Sequence, residues 1–123
     1  MIVTPRSRTA ATLPLPPSTN NLFATVRGKR VKSREYRAWL SAVAPLLVEL
    51  RPPKALPAAV RVGVFGKVNA ARDLDNMLKP IGDALVAGGV LPGDSLKYVT
   101  EWRVCYGGEW GAPPAVVVEV VPA

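Results

Sequence analysis

Valine at every second position is the pattern that most restricts how this chain can fold. Val60, Val62 and Val64 alternate with other residues in segment 58–68, and this period of two predicts a strand with one buried face. Segments 98–106 and 115–121 are also rich in β-branched and aromatic residues, and a turn rich in glycine and proline joins them. The sequence therefore predicts at least three strands of one sheet.

Two helices are predicted from apolar residues at helical spacing. The first covers about residues 34–50, where Ser33 can accept hydrogen bonds from first-turn amides and Pro45 predicts a kink or a break. The second covers about residues 76–88 and ends at a glycine pair. Its buried stripe comprises Leu74, Leu78, Ile81 and Leu85. The fold class is therefore mixed α/β (α+β): two main helices packed on a mixed sheet of about four strands.

The amino-terminal third contains three different kinds of segment. Residues 1–11 are polar and basic, and they predict a flexible basic arm in front of a single domain at 12–123. Residues 13–17 contain three prolines, so this segment is predicted to be an edge strand or a polyproline-like entry. Residues 26–31 predict a tight hairpin around Arg27-Gly28-Lys29.

Histidine is absent and Cys105 is the only cysteine. Ser-His-Asp triads, histidine-ligated metals, zinc cages and an intramolecular disulfide are therefore excluded. Hydrolytic chemistry would have to come from carboxylates, lysine, arginine and hydroxyls with a hard cation such as Mg²⁺ or Mn²⁺. Cys105 itself lies in a strand-like segment and is predicted to be a buried structural thiol. No apolar run of about 18 residues is present, so we expect a cytoplasmic protein without a membrane partner.

The net charge of +7 favours a polyanionic partner, because fixed positive charge releases counterions from a phosphate backbone. Six cations are concentrated around the predicted hairpin and the start of the first helix: Arg27, Lys29, Arg30, Lys32, Arg34 and Arg37. We expect this stretch, with Lys97 and Arg103, to contact the phosphates of such a partner. The alternative is a solvated charged face. Asn20 either contacts the same partner or holds its loop by backbone hydrogen bonds.

All four aspartates lie between Asp73 and Asp94, whereas the five glutamates are scattered. Like charges repel unless a cation gathers them. Asp73 and Asp75 share one face only on an extended backbone, so they are predicted to converge just before the second helix, which Pro80 indicates begins near residue 76 or 77. The ordinary alternatives are a helix cap at Asp75, ion pairs of Lys79, and a turn residue at Asp94.

The run from Asp73 to Lys79, followed by Asp83-Ala84-Leu85 and Asp94, resembles the RusA family of Holliday-junction resolvases. Residues 15–20, Leu-Pro-Pro-Ser-Thr-Asn, are similar to the amino-terminal signature of that family. The resemblance extends from about residue 12 to the final strand. It implies an endonuclease dependent on Mg²⁺ or Mn²⁺ that acts as a homodimer on four-way DNA junctions in recombination and repair, without an organic cofactor.

The resemblance also implies roles for individual residues. Asp73, Asp75 and Asp94 would bind the metal and Lys79 would be the catalytic lysine. Supporting roles fall to Arg72, Asn76 and Asp83, the last as an outer partner or a helix-pairing residue. Family members often have a second acid where this chain has Gly93.

Three other functions are compatible with parts of the pattern. A nucleic-acid-binding module without catalysis would use the basic stretch alone, and a related nuclease could act mainly on other branched DNA. A small phosphohydrolase is a third possibility, but no glycine-rich phosphate loop precedes a helix in this chain.

Overall fold

The computed structural model describes residues 8–69, 72–109 and 113–123. Within these ranges, six strands and two helices follow one another in the order β1 (Ala10–Pro14), β2 (Phe23–Val26), β3 (Lys29–Lys32), α1 (Arg34–Leu47), β4 (Ala58–Phe65), α2 (Leu78–Ala87), β5 (Val99–Gly108) and β6 (Ala115–Pro122).

The main sheet has four strands in the order β1-β6-β4-β5. β4 lies between an antiparallel neighbour, β6, and a parallel neighbour, β5. Parallel strands cannot be joined by a tight hairpin and need a crossover connection. The segment between β4 and β5, which contains α2, is that crossover.

The predicted fold class is confirmed: two helices pack on a mixed four-stranded sheet. The valines of the alternating pattern face the helices, and the side chains of Val60, Val62 and Val64 are buried. They belong to one continuous core with buried residues from β6 and both helices, including Val116, Val118, Tyr36, Trp39, Val43, Leu47, Ile81 and Leu85. One face of the sheet is thus covered by helices.

The first helix is shorter than predicted and is not broken. α1 ends at Leu47 rather than near residue 50, and Pro45 lies inside its last turn. A proline removes one amide donor to the carbonyl four residues earlier. Because the helix ends two residues later, only that last turn is affected. Neither α1 nor α2, in the part of the chain that the structure describes, is long and apolar enough to cross a membrane.

Residues 8–11 are ordered parts of the fold, so the predicted flexible arm is wrong for them. The Arg8 backbone amide donates to the Glu49 carbonyl at 2.8 Å, and the Arg51 amide donates to the Arg8 carbonyl at 2.8 Å. The strand β1 already begins at Ala10 and pairs with β6. It is an edge strand, as the three prolines predicted, since Pro14 at its end cannot donate to another strand.

The predicted hairpin is confirmed, and it stands outside the main sheet. β2 and β3 pair only with each other in the described ranges. Arg27 and Gly28 at the tip have φ angles of 52° and 76°, as expected for the two-residue turn that suits the twist of a hairpin. All residues of β3 are exposed.

The prediction of a buried Cys105 is wrong. In the register of β5 on β4, Cys105 lies opposite Gly63, on the sheet face that neither α1 nor α2 covers, and its side chain is exposed. Alternation along a strand decides the face of each residue, and the covered face of β5 carries Trp102 and Val104. Trp39 of α1 is buried in the core.

We expect Leu85→Ala to lower the free energy of unfolding by about 2–5 kcal/mol, because it leaves a cavity in a fully buried site. Leu96→Ala is the matched control, because Leu96 is 78% exposed, and it should change stability by less than about 0.5 kcal/mol. Urea denaturation of both variants measures the difference. Equal losses would contradict this assignment of the core.

Candidate active site

Asp73 and Asp75 lie where β4 has ended and the crossover turns into helix. Leu74 between them has φ −63° and ψ −39°, and Asp75–Met77 form a single 3₁₀ turn that leads directly into α2. The backbone is therefore helical at Leu74 and not extended. The predicted convergence of the two carboxylates through an extended segment is wrong, because helical geometry turns residues i and i+2 away from each other.

Both of these carboxylates are exposed. The Asn76 side-chain amide is a polar neighbour of Asp73, and its Nδ2 atom lies 3.5 Å from the Asp73 Oδ2 atom. That distance is at the long limit for a hydrogen bond, so Asn76 steadies Asp73 only weakly. Among the described residues the Asp75 side chain forms no hydrogen bond or ion pair, and its carboxylate is open to a ligand.

Asp83 is the best-held carboxylate of the four. Its Oδ1 atom lies 3.1 Å from the Lys79 Nζ atom, one helical turn earlier. Its Oδ2 atom accepts a hydrogen bond from the Tyr36 hydroxyl of α1. Burial raises the pKa of the Tyr36 phenol well above its usual value, and the hydrogen bond to Asp83 and the charges of Asp83 and Asp94 raise it further. Tyr36 therefore stays a neutral donor.

Asp94 is brought back against the middle of α2 at Gly82. A Cβ atom built on Gly82 would lie 3.5 Å from the Asp94 Oδ2 atom and 3.1 Å from the Trp102 Cη2 atom. The missing side chain at Gly82 leaves the space in which the Asp94 carboxylate and the Trp102 ring lie. Asp94 thus lies beside the residue that precedes Asp83, where the loop before β5 returns to the helix.

The structure does not gather the three predicted metal ligands into one cage. Within residues 8–69, 72–109 and 113–123, no three acidic, histidine or cysteine side chains lie close enough together to hold a metal ion. The donor chemistry nevertheless fits a hard cation, because every candidate ligand is a carboxylate oxygen. Mg²⁺ in particular keeps several waters and usually takes only one or two protein carboxylates together with substrate phosphates.

Arg72 connects the aspartate segment to the amino-terminal proline motif. Its Nη2 atom donates to the Pro17 carbonyl at 3.3 Å, and burial lowers the pKa of its guanidinium. The loop after Pro17 is held by its own contacts, since the Asn21 side chain donates to the Ser18 hydroxyl at 3.0 Å. The proline motif therefore supports the start of the aspartate segment, and Asn20 is exposed beside it.

The six cations around the hairpin form the basic surface of the molecule. Every one of them is exposed, and none is paired with a carboxylate in the described part of the chain. The Arg30 guanidinium lies over the Phe23 ring, 4.0 Å from its centroid. Phe23 in turn meets Tyr36 edge to face, with ring centroids 6.0 Å apart. The basic hairpin and the Asp83 carboxylate are therefore joined through two aromatic rings.

The two other predicted DNA contacts lie apart from this surface. Arg103 is on the sheet face opposite the helices, where its Nε atom lies 4.0 Å from the Glu101 carboxylate. Lys97 is exposed, and its ammonium lies 5.4 Å from the centroid of the Tyr98 ring. The structure thus groups the hairpin cations with Arg34 and Arg37 but does not bring Arg103 to them.

Sequence patterns missed Tyr36, Gly82 and Trp102 as parts of this site. Tyr36 matched the apolar stripe of α1, and that pattern hides its hydroxyl. Gly82 is the one glycine between Leu74 and Leu85, the ends of the predicted buried stripe. A glycine destabilises a helix by about 1 kcal/mol relative to alanine, and its presence there was the signal that this position needs a residue without a side chain. No sequence signal pointed to Trp102, because its contact with α2 depends on the crossover.

Known proteins resemble this chain over most of its length. The family model described as endodeoxyribonuclease RusA matches residues 14–121. A protein named crossover junction endodeoxyribonuclease RusA from Escherichia coli O139:H28 (strain E24377A / ETEC) is 35% identical over 95 residues, which are 76% of this chain and 78% of the relative. The protein of the same name from Escherichia coli (strain K12) is 34% identical with the same coverage. The range 14–121 contains every residue of the candidate site.

At an exposed helix position, replacing glycine by alanine raises the free energy of unfolding by about 1 kcal/mol. We expect Gly82→Ala to lack this gain. The new methyl group must displace the Trp102 ring, from which it would be 3.1 Å away. Urea denaturation measures the stability, and the indole NMR signal of Trp102 reports the displacement. A full gain in stability with an unchanged Trp102 signal would contradict the tight contact.

Proposed function

The chain belongs to the RusA family of endodeoxyribonucleases, and we propose from this that it hydrolyses phosphodiester bonds in four-way DNA junctions with the help of a divalent metal. The observation that carries the proposal is the meeting, at one end of α1, of an acidic helix face that contains Lys79 with a basic hairpin. The cations of this hairpin have no carboxylate partner within the described ranges. The proposed reaction belongs to recombination and repair of DNA in the cytoplasm.

Asp73, Asp75 and Asp94 are the proposed metal ligands. Mg²⁺ is the proposed ion and Mn²⁺ a substitute, because the ligands are all oxygen atoms. Two features support this assignment. Asp73 and Asp75 are exposed at the start of α2, and the Asp94 carboxylate packs against the same helix at Gly82. Since Mg²⁺ often takes part of its coordination from substrate phosphates, DNA would complete the site.

The bound metal would lower the pKa of the attacking water and offset the charge of the phosphate. Side chains of this protein would stabilise the transition state and support the metal ligands. The Lys79 ammonium, held by Asp83 at 3.1 Å, would either neutralise charge that develops on the phosphoryl oxygens or hold the attacking water. Asn76 and Arg72 support the aspartate segment through Asp73 and Pro17.

The hairpin with the first turn of α1 is the proposed DNA-binding surface. Its arginine and lysine side chains carry no carboxylate partner in the described ranges, so their charge is available to phosphates. Asn20 is exposed next to this surface and is proposed as a further contact. A groove of duplex DNA admits a two-stranded β-ribbon, which fits a hairpin that stands outside the main sheet.

A homodimer is proposed because a junction offers two symmetry-related strands, and a twofold axis places one site on each. The sheet face opposite the helices supports this proposal. Neither α1 nor α2 covers the parallel pair β4 and β5 on this face, whereas parallel pairs are normally covered on both faces. Phe65, Cys105 and Val117 line a shallow depression there, which a second copy would cover.

We expect Asp75→Asn to abolish metal-dependent cutting of a synthetic four-way junction while leaving junction binding intact, because the change removes a metal-binding charge without altering the basic surface. Cleavage of a labelled junction with and without Mg²⁺, and gel-shift binding without Mg²⁺, measure the two properties. Glu49→Gln is the control, because the exposed Glu49 carboxylate pairs with Arg8 and not with a residue of the candidate site. This variant should cut junctions at the wild-type rate.

The same experiment separates the competing functions. A wild type that binds junctions but cuts none would favour the non-catalytic module, and faster cutting of flaps than of junctions would favour another branched substrate. Mixed dimers of wild-type and Asp75→Asn chains extend the test to the homodimer. They should nick one strand of the junction and leave the symmetry-related strand intact.

We expect the double change Arg27→Ala and Lys29→Ala to weaken junction binding and to lower the slope of log K against log salt by about 0.9 for each phosphate that the protein no longer neutralises. The control double change, Arg51→Ala with Lys54→Ala, alters the net charge equally at the other end of α1, roughly 20 Å away along a helix of 14 residues. Equal weakening by both pairs would mean that overall charge and not the hairpin binds DNA.

A further inference from the structure

Tyr36 is a buried aromatic residue whose one polar atom is directed at the candidate site. Its relative exposure is 0%, and its hydroxyl donates to the Asp83 carboxylate on the other helix. Its ring contacts two other aromatic rings, Phe23 at 6.0 Å and Trp39 at 6.4 Å between centroids. A ring packed in this way holds its hydroxyl in one place.

The Asp83 carboxylate uses its two oxygen atoms for two different partners. One oxygen accepts from Tyr36, and the other lies 3.1 Å from the Lys79 ammonium. The Asp83 side chain is 20% exposed, whereas that of Lys79 is 59% exposed. An exposed ion pair four residues apart on a helix is weak, and by itself it does not hold a flexible lysine in one place.

We propose that Tyr36 is a positioning residue for the nuclease reaction: its hydroxyl fixes the Asp83 carboxylate, and the fixed carboxylate holds the Lys79 ammonium on the acidic face of α2. This inference rests on the proposed function. The hydrogen bond between α1 and α2 gives the Asp83 carboxylate the fixed orientation that the ion pair with Lys79 does not provide. A carboxylate bonded to a buried phenol cannot rotate freely, so its second oxygen points in one direction.

The position of Tyr36 also connects this arrangement to the DNA-binding surface. The Phe23 ring lies between Tyr36 and the Arg30 guanidinium, which is 4.0 Å from the ring centroid. Asp94 packs on α2 at Gly82, the residue before Asp83. Tyr36 is therefore in contact with the base of the hairpin on one side and with the acidic helix face on the other.

Tyr36→Phe is the decisive variant, because it keeps the packed ring and removes only the hydroxyl. We expect kcat for junction cleavage to fall about tenfold, the effect of losing one hydrogen bond of ordinary strength, while KM, junction affinity and Tm stay near the wild-type values. Tyr106→Phe is the control, because it also removes a hydroxyl that donates a hydrogen bond, here to the Gly66 carbonyl at 2.8 Å, and it should leave kcat unchanged.

The double variant Tyr36→Phe with Asp83→Asn tests whether Tyr36 acts through Asp83. If it does, the double variant is no slower than Asp83→Asn alone. Additive losses would overturn the proposal, as would a wild-type kcat in Tyr36→Phe. A large fall in Tm together with a failure to bind junctions would also overturn it, since the residue would then serve only the core.

A readout without DNA keeps this test separate from the proposed nuclease activity. Acylation of Lys79 by a small reagent, followed by mass spectrometry, measures how firmly Asp83 holds the ammonium. We expect Lys79 to react faster in Tyr36→Phe than in the wild type and in Tyr106→Phe. An unchanged rate would overturn the positioning role even if junction cleavage is confirmed, and a faster rate would support it even if the wild type cuts no junction.

Discussion

The parallel pairing of β4 with β5 is the constraint on which the rest of this structure depends. It requires a crossover between two neighbouring strands, and this crossover contains all four aspartates and Lys79. Because α2 must pack on the sheet to close the crossover, its buried stripe holds the helix in place and its other face presents Asp83. The loop before β5 has to return across the same helix, and this return brings Asp94 to Gly82. The positions of the acidic residues therefore follow from the strand order.

Positive and negative side chains are concentrated on different elements of the structure. The hairpin carries cations without carboxylate partners in the described ranges, whereas the aspartates are collected on the crossover. Opposite charges are thus kept on neighbouring elements, and the first turn of α1 lies between them. Tyr36 and Phe23 fill that boundary with aromatic surface, so that Arg30 stays over a ring and Lys79 stays with Asp83. This arrangement leaves the basic surface free to bind a polyanion. Among the described residues, Asp83 is the one aspartate that pairs with a lysine of the protein.

Much of the fold could be predicted because it depends on local periodicity. The alternating valines, the stripe of α2, the hairpin tip and the edge-strand character of residues near Pro14 are all properties of short segments. The incorrect predictions have a common cause, which is that they concern properties set by tertiary packing. Cys105 was predicted to be buried because its strand is apolar, but the number of covered faces is decided by where the helices pack. Residues 8–11 were predicted to be flexible because they lack a period, yet Arg8 gains order from contacts with Glu49 and Arg51. The extended geometry assumed for Asp73 and Asp75 failed because the helical turn begins at Leu74.

The sequence by itself determined the kind of chemistry that this protein can perform. Without histidine and with one cysteine, only oxygen ligands, amines and guanidinium groups remain, and the spacing of the aspartates and Lys79 places them on one segment. Only the tertiary structure decided which of these groups meet. The contacts of Tyr36 with Asp83 and of Asp94 with Gly82 join residues that are 47 and 12 positions apart. Such contacts arise from the packing of α1, α2 and the returning loop on one sheet, and no local pattern in the chain encodes that packing.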